Sequence, residues 1–222
     1  MKKFLLSAAM LLASVHGFAQ HEVGKLTFMP KVGINLATIG GDVCYHWVEG
    51  ASDAQKMEQT YRIGAVAGIE GEYQLSQPMS LSVGLLYSLQ GNKYKDIEFQ
   101  KGLTSTFHEV CVPVLLNYYV VKGLAVKAGL QAGYAFNKKQ SYESLIEDAS
   151  HPNGVWLKSS TSGSVYKPFD IAVPVGLSYD FDQWRVDLRY NFGLTSISKL
   201  DGMAATHHRV IQLSLGYQLG KK

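Results

Sequence analysis

From Phe169 to Ile197 the chain alternates apolar and polar residues with a period of two. Phe169, Ile171, Val173, Val175, Leu177, Tyr179 and Phe181 are separated by Asp170, Ala172, Pro174, Gly176, Ser178 and Asp180. After a short polar break the alternation resumes as Trp184, Val186, Leu188, Tyr190, Phe192 and Leu194, with Arg185, Asp187, Arg189, Asn191 and Gly193 between them. Successive side chains of a β-strand point to opposite faces, so the stretch predicts a hairpin with a very short turn. Its polar face carries small residues and charges of both signs rather than a scatter of Lys and Glu. One face suits hydrocarbon and the other a crowded polar interior, which is the pattern of a transmembrane barrel.

The same period recurs at 25–39, 60–75, 79–90, 105–120, 124–137 and 207–219. With the hairpin this predicts an all-β, antiparallel transmembrane barrel of about eight strands, an even number as single-chain bacterial barrels have. The intervening segments sort by length. Long polar connections at 40–59, 91–104, 138–165 and 198–206 alternate with turns at 76–78, at Lys122-Gly123 and within the hairpin. A periplasmic N-terminus then places short turns in the periplasm and long loops outside the cell. Pro113 and Pro174 fall on the inward phase and predict bulges, because proline cannot donate to a ladder.

Aromatic residues on the apolar phase collect at strand ends. Phe28, Tyr73, Tyr118, Tyr179, Phe181, Trp184 and Tyr217 mark the short-turn ends, and Tyr61, Tyr87, Tyr134, Phe136, Phe169 and Phe192 the opposite ends. Two such belts form the aromatic girdle expected at the two interfaces of a membrane. The polar phase gathers Lys31, Arg62, Lys127, Arg185 and Arg189 with Glu70, Glu72, Glu109, Asp170 and Asp187. An eight-stranded interior is only wide enough for side chains to fill, so these ten predict a paired ionic plug. The competing reading is a narrow, gated ion path along the same groups.

Composition narrows the classes. The 222 residues hold 21 Lys plus Arg against 18 Asp plus Glu, a near balance that gives no case for nucleic acid. A mean hydropathy of −0.02 argues against helical spans but not against strands whose alternation averages out. Lys2 and Lys3, the apolar run Phe4–Val15, and Gly17 and Ala19 read as a secretory signal cut after Ala19, leaving 20–222 as the barrel domain. The expected location is the outer membrane, with its lipid as one partner. Cys44 in a loop and Cys111 on an inward strand position read as unpaired thiols, the alternative in an exported protein being a disulfide.

The segments PKVGINLATI at 30–39, EVCVPVLLNYYV at 109–120, VKAGLQAGYAFN at 126–137 and DLRYNFGLTSI at 187–197 resemble the PorT-like outer-membrane β-barrel family of Bacteroidota. The resemblance runs through the mature chain and implies the barrel. That family has no shared catalytic motif, so it implies no functional residues, and a role in secretion would rest on fold-level analogy.

Chemistry is sparse. His207-His208 could bind metal or act as a base, yet neighbours on a strand face opposite ways and no Ser or Asp stands at a diagnostic spacing. No enzyme, metal site or cofactor is expected. The remaining reading is a non-enzymatic barrel that binds a protein partner or supports the envelope through its outer loops. Tyr45 and Trp47, in the apolar run Val43–Val48, and Trp156, in the longest connection, are the candidate contacts. The alternatives are a small pore and a secreted, lipocalin-like binder whose apolar face turns inward around a ligand.

Overall fold

A strand with one apolar face and unpaired edges cannot rest in hydrocarbon, so strands of this pattern must close into a ring. The computed structural model describes residues 22–40, 45–46, 55–56, 58–96, 100–148, 151–162, 166–197 and 206–220. In chain order its strands are β1 (Leu26–Gly40), β2 (Tyr45–His46), β3 (Gln55–Lys56), β4 (Gln59–Ser76), β5 (Met79–Tyr94), β6 (Gln100–Val121), β7 (Leu124–Asp148), β8 (His151–Ser162), β9 (Phe169–Phe181), β10 (Trp184–Gly193) and β11 (His207–Tyr217). Eight of them, β1, β4, β5, β6, β7, β9, β10 and β11, pair in that order, all antiparallel. β11 closes the ring on β1 from Lys31↔Gly216 to Gly40↔His207.

Burial settles which face is inside. Val32, Ile34, Ile63, Leu85, Leu130, Leu177, Leu188 and Leu213 stand exposed on the outer wall, while Lys31, Glu70, Lys127, Asp187 and Arg189 are buried. The apolar face therefore points outward, against the lipocalin-like arrangement. Exposed apolar residues stand on all eight strands of the ring, a band that suits lipid. A few inward positions are apolar. Val66, Leu86 and Cys111 form one patch, and Ile39, Phe107, Ala135, Tyr166 and Ile197 pack together at the long-connection end.

Short turns join β4–β5, β6–β7 and β9–β10. Gly123 and Asp182 both take positive φ, at 81° and 55°, which glycine accepts freely and Asp more readily than most residues. The long connections hold more structure than the polar composition suggests. The segment 138–165 is expected to be a loop, but β7 runs on to Asp148 and β8 folds back on it, from Lys139↔Ser162 to Asp148↔His151. The start of β6 pairs with the same extension at Gln100↔Ser144 and Lys101↔Glu143, so three strands continue beyond the ring. In the first long connection β2 and β3 pair as a small ribbon.

The proline expectation is corrected. Pairing lapses near Pro113 and near Pro174, but the register is the same on either side. A missing N–H opens the ladder locally, while the fixed alternation of faces prevents a slip. The shifts lie elsewhere, one of them between His108 and Glu109 opposite Phe136. There Phe136 and Asn137 are both exposed, so Asn137, expected inward, points out of the lumen.

Close strand approach depends on glycine at inward positions. A Cβ on Gly129 would stand 2.0 Å from the Val114 carbonyl oxygen, and one on Gly64 would stand 1.9 Å from that of Leu89. Gly129→Ala should therefore destabilise the barrel by roughly 1–3 kcal/mol, as overpacking does. Ala128→Val, on the exposed face next door, should cost far less. The urea midpoint for loss of the compact, unboiled gel band of each variant measures both.

Candidate functional site

The short-turn half of the lumen is built from charged residues on strands across the ring. Lys31 on β1 donates to Glu70 on β4 and to Asp187 on β10, each at 3.2 Å. Lys127 on β7 approaches Asp187 at 2.6 Å and Glu70 at 3.5 Å. Arg189, also on β10, donates from Nε to Asp187 Oδ1 at 2.6 Å and from Nη2 to Glu70 Oε2 at 2.5 Å. Three cations thus enclose two carboxylates, and all five side chains are 0–2% exposed.

A second group carries the opposite excess. Arg185 pairs with Glu72 and Asp180, its Nη2 donating to Asp180 Oδ2 and to the Tyr119 hydroxyl, each at 2.7 Å. Tyr119 and Ser80 in turn donate to Glu72 Oε1 at 2.6 and 2.7 Å. Taken together, Lys31, Lys127, Arg185 and Arg189 face Glu70, Glu72, Asp180 and Asp187, four charges of each sign. Buried charges are tolerated when geometry and hydrogen bonds compensate them, and here both do.

Of the ten residues expected to form the plug, Lys31, Glu70, Glu72, Lys127, Arg185, Asp187 and Arg189 come together in these two groups. Three stand apart. Arg62 is half-buried near the outer end of β4 and donates to the Gln90 carbonyl oxygen at 3.2 Å rather than to a carboxylate. Glu109 and Asp170 are buried nearer the long-connection end, beside His208. Distance along the strands, which alternation does not encode, separates them from the cations. Asp180 and Tyr119 are the members missed. Asp180 was legible, because a two-residue turn at Asp182-Gln183 sets Asp180 opposite Arg185.

The aromatic positions lie where the alternation puts them. Phe28, Tyr61, Tyr73, Tyr87, Tyr118, Tyr134, Phe136, Phe169, Tyr179, Phe181, Trp184 and Phe192 are exposed on the outer wall. Tyr217 differs, being half-buried against Trp184 at 5.0 Å between ring centroids. In register, Tyr87, Val110, Tyr134 and Phe169 face one another across four neighbouring strands, so the three aromatic rings share one level.

This combination decides the family: a closed antiparallel ring, apolar outside and ionic inside. Residues 18–199 match the outer membrane protein beta-barrel domain. The chain belongs to that family. The family is one of outer-membrane proteins, in accord with the apolar outer wall. The chain is similar in structure to the attachment invasion locus protein Ail of Yersinia pestis, at 14% identity over 89% of this chain and 100% of that one, with a TM-score of 0.48. It is also similar to OprG of Pseudomonas aeruginosa, at 12% identity over 90% and 98% of the two chains, with a TM-score of 0.42. No match was found among curated proteins.

The outer contacts divide. Trp156 on β8 stands opposite Leu145 and carries Lys101 Nζ 4.2 Å above its ring. The backbone of Tyr45 pairs with Lys56, while Cys44 and Trp47 lie outside the described residues, as do residues 1–19, expected to be a secretory signal. Cys111 is a free, buried thiol. His207 and His208 do face opposite ways: His207 Nδ1 is 3.1 Å from the Thr195 carbonyl oxygen, and His208 points into the lumen. Beyond the girdle, exposed Glu58 and Lys95 pair, and the hydrogen bond and charge of Lys95 hold the Glu58 carboxyl below its ordinary range.

Arg189→Met should cost about 3–5 kcal/mol, because it removes the fork that bridges Glu70 and Asp187 and leaves the buried network of four carboxylates one cation short. Arg62→Met should cost under about 1 kcal/mol, since it removes one half-exposed hydrogen bond to a carbonyl. Equilibrium unfolding of both variants in the same detergent checks the contrast.

Proposed function

We propose that this chain is an exported, non-enzymatic outer-membrane barrel with a closed lumen, which engages a protein partner at its extracellular end. The observation that carries the reading is the packed interior. Lys31, Lys127 and Arg189 are 1–3% exposed and locked onto Glu70 and Asp187, an arrangement for plugging a tube rather than lining a path. The signal segment 1–19 would direct export and be removed after Ala19. The segments at 30–39, 109–120, 126–137 and 187–197 support a PorT-like barrel of Bacteroidota as the narrower family.

With transport set aside, the strands that continue past the girdle supply the contact surface. β8 pairs only with β7 among the described residues, so its other edge offers free backbone donors and acceptors. Leu157 is exposed on the same strand, and Trp156 is held beside it by Leu145 and Lys101. An extended segment of a partner chain can add to such an edge, with main-chain hydrogen bonds giving affinity and a rigid aromatic giving specificity.

Two experiments test the reading. Purified protein in a planar bilayer should show no steady conductance, and a large, stable conductance would overturn the closed lumen. Replacing 139–162 with a short turn should preserve heat-modifiable migration and abolish crosslinking from position 156 to a partner in intact cells. A loop-less variant that fully restores a deletion strain would place function elsewhere.

A further inference from the structure

The charge balance of the lumen leaves two carboxylates unaccounted for. Glu109 on β6 and Asp170 on β9 are 1% and 7% exposed, and neither meets Lys31, Lys127, Arg185 or Arg189 in an ion pair. Instead they converge on His208 of β11, itself 5% exposed. His208 Nδ1 is 3.4 Å from Glu109 Oε1 and 3.8 Å from Asp170 Oδ2. One potential ligand atom from each residue lies within 4.8 Å of the other two.

We propose that Glu109, Asp170 and His208 form a binding site for a divalent first-row transition-metal ion, of which zinc is the type, inside the barrel. The spacing fits. Zinc bonds imidazole nitrogen and carboxylate oxygen at roughly 2.0–2.2 Å, so adjacent ligand atoms around one ion lie about 3–3.5 Å apart. The histidine edges need to contract by only a few tenths of an ångström, and the Glu109–Asp170 edge, within 4.8 Å, by up to about 1.5 Å. The donor set selects the class as well. One imidazole with two carboxylates suits zinc and its neighbours, whereas calcium and magnesium favour all-oxygen shells with higher coordination or several waters.

Independent features of the site point to a ligand. Both ring nitrogens of His208 and Oε1 of Glu109 are buried without a hydrogen-bond partner, a costly arrangement for polar atoms aimed into a shared space. Glu109 is oriented from behind, because Gln90 Nε2 donates to its other oxygen at 2.9 Å. Such outer partners commonly hold metal-binding carboxylates in place. Gly133 leaves the room: a Cβ there would stand 2.2 Å from Asp170 Oδ1 and 3.5 Å from Glu109 Oε2. The thiol of Cys111 lies 3.9 Å from Glu109 Oε2, within reach as a further donor.

The position gives the ion a structural consequence. β6, β9 and β11 are not neighbours in the ring, so one ion held by all three would brace the barrel across its lumen. Phe107 packs edge-on against the His208 ring, at 5.1 Å between centroids, and belongs to the apolar cluster with Ile39, Ala135, Tyr166 and Ile197. That cluster closes the long-connection side of the site and keeps it dry. The inference does not depend on the partner proposed above.

The test uses the full barrel in detergent, stripped with a chelator and dialysed. Equilibrium dialysis with elemental analysis should find one zinc ion per chain, and zinc should raise the unfolding midpoint where calcium and magnesium do not. Glu109→Gln, Asp170→Asn and His208→Ala should each weaken zinc binding at least tenfold. His207→Ala, whose ring faces away, should bind as the parent does. Heat-modifiable migration establishes that each variant is folded. Should any variant fail to fold, cobalt on the parent protein decides: a visible d–d spectrum with displacement by one equivalent of zinc supports the site, and its absence overturns it. Zinc bound equally by the parent and by folded His208→Ala would mean an adventitious ion only.

Discussion

Four cations and four carboxylates must cancel inside a tube a few side chains wide, and the rest of this barrel is arranged around that constraint. Each strand that supplies a charge turns its opposite face to lipid, so a register slip of one residue would bury Val, Leu and Ile in the lumen and put Arg and Glu in hydrocarbon. The network therefore does more than fill space. Arg189 ties β10 to β4, Lys31 ties β1 to β10, and Lys127 ties β7 to β10 across the ring. A wrong register would leave several buried charges unpaired at once, each at a cost of several kcal/mol. Ion pairs of this kind contribute specificity of closure even where an apolar plug could contribute similar stability.

How far the sequence reveals such a molecule depends on the range of the interaction. Alternation is local, so strand number and the exposed phase of the aromatic rings were readable from residues such as Tyr73, Leu85 and Trp184, while facing also needed the charges gathered on the polar phase. The hairpin turn carried further information, because it sets Arg185 against Asp180. Depth in the lumen was not readable. Glu109 and Arg189 share the inward phase, yet strand tilt and stagger place them at different levels, and neither is encoded in a period of two. The hairpin of β7 and β8 was hidden for another reason. Its residues Lys139–Ser162 are mostly polar on both faces, so no alternation marks them, and pairing is held by the backbone ladder and by contacts such as Leu145 with Trp156.

The two levels of the lumen differ in chemistry as well as in place. At the short-turn end every carboxylate has an arginine or lysine partner, and Arg is prominent because its planar fork can serve two carboxylates at once, as Arg189 does for Asp187 and Glu70. The charges of such groups are already committed to one another, which leaves little for a ligand. Nearer the long-connection end the group that meets Glu109 and Asp170 among the described residues is the imidazole of His208, a good ligand rather than a permanent charge. One tube therefore contains a level built to be inert and a level built to bind.

That division bears on why the apolar cluster of Ile39, Phe107, Ala135, Tyr166 and Ile197 lies where it does. A plug of ion pairs is insensitive to water at its edges, since its charges already satisfy one another. Two carboxylates and an imidazole are not, because water would compete for each donor atom and weaken every interaction among them. Covering His208 with the edge of Phe107 lowers the local dielectric and sharpens the preference for a full positive charge between the carboxylates. The same cover separates this level from the strands that run on beyond the girdle. Events at the outer edge of β8 can therefore proceed without disturbing the packed interior, which leaves the barrel free to act as a rigid mount.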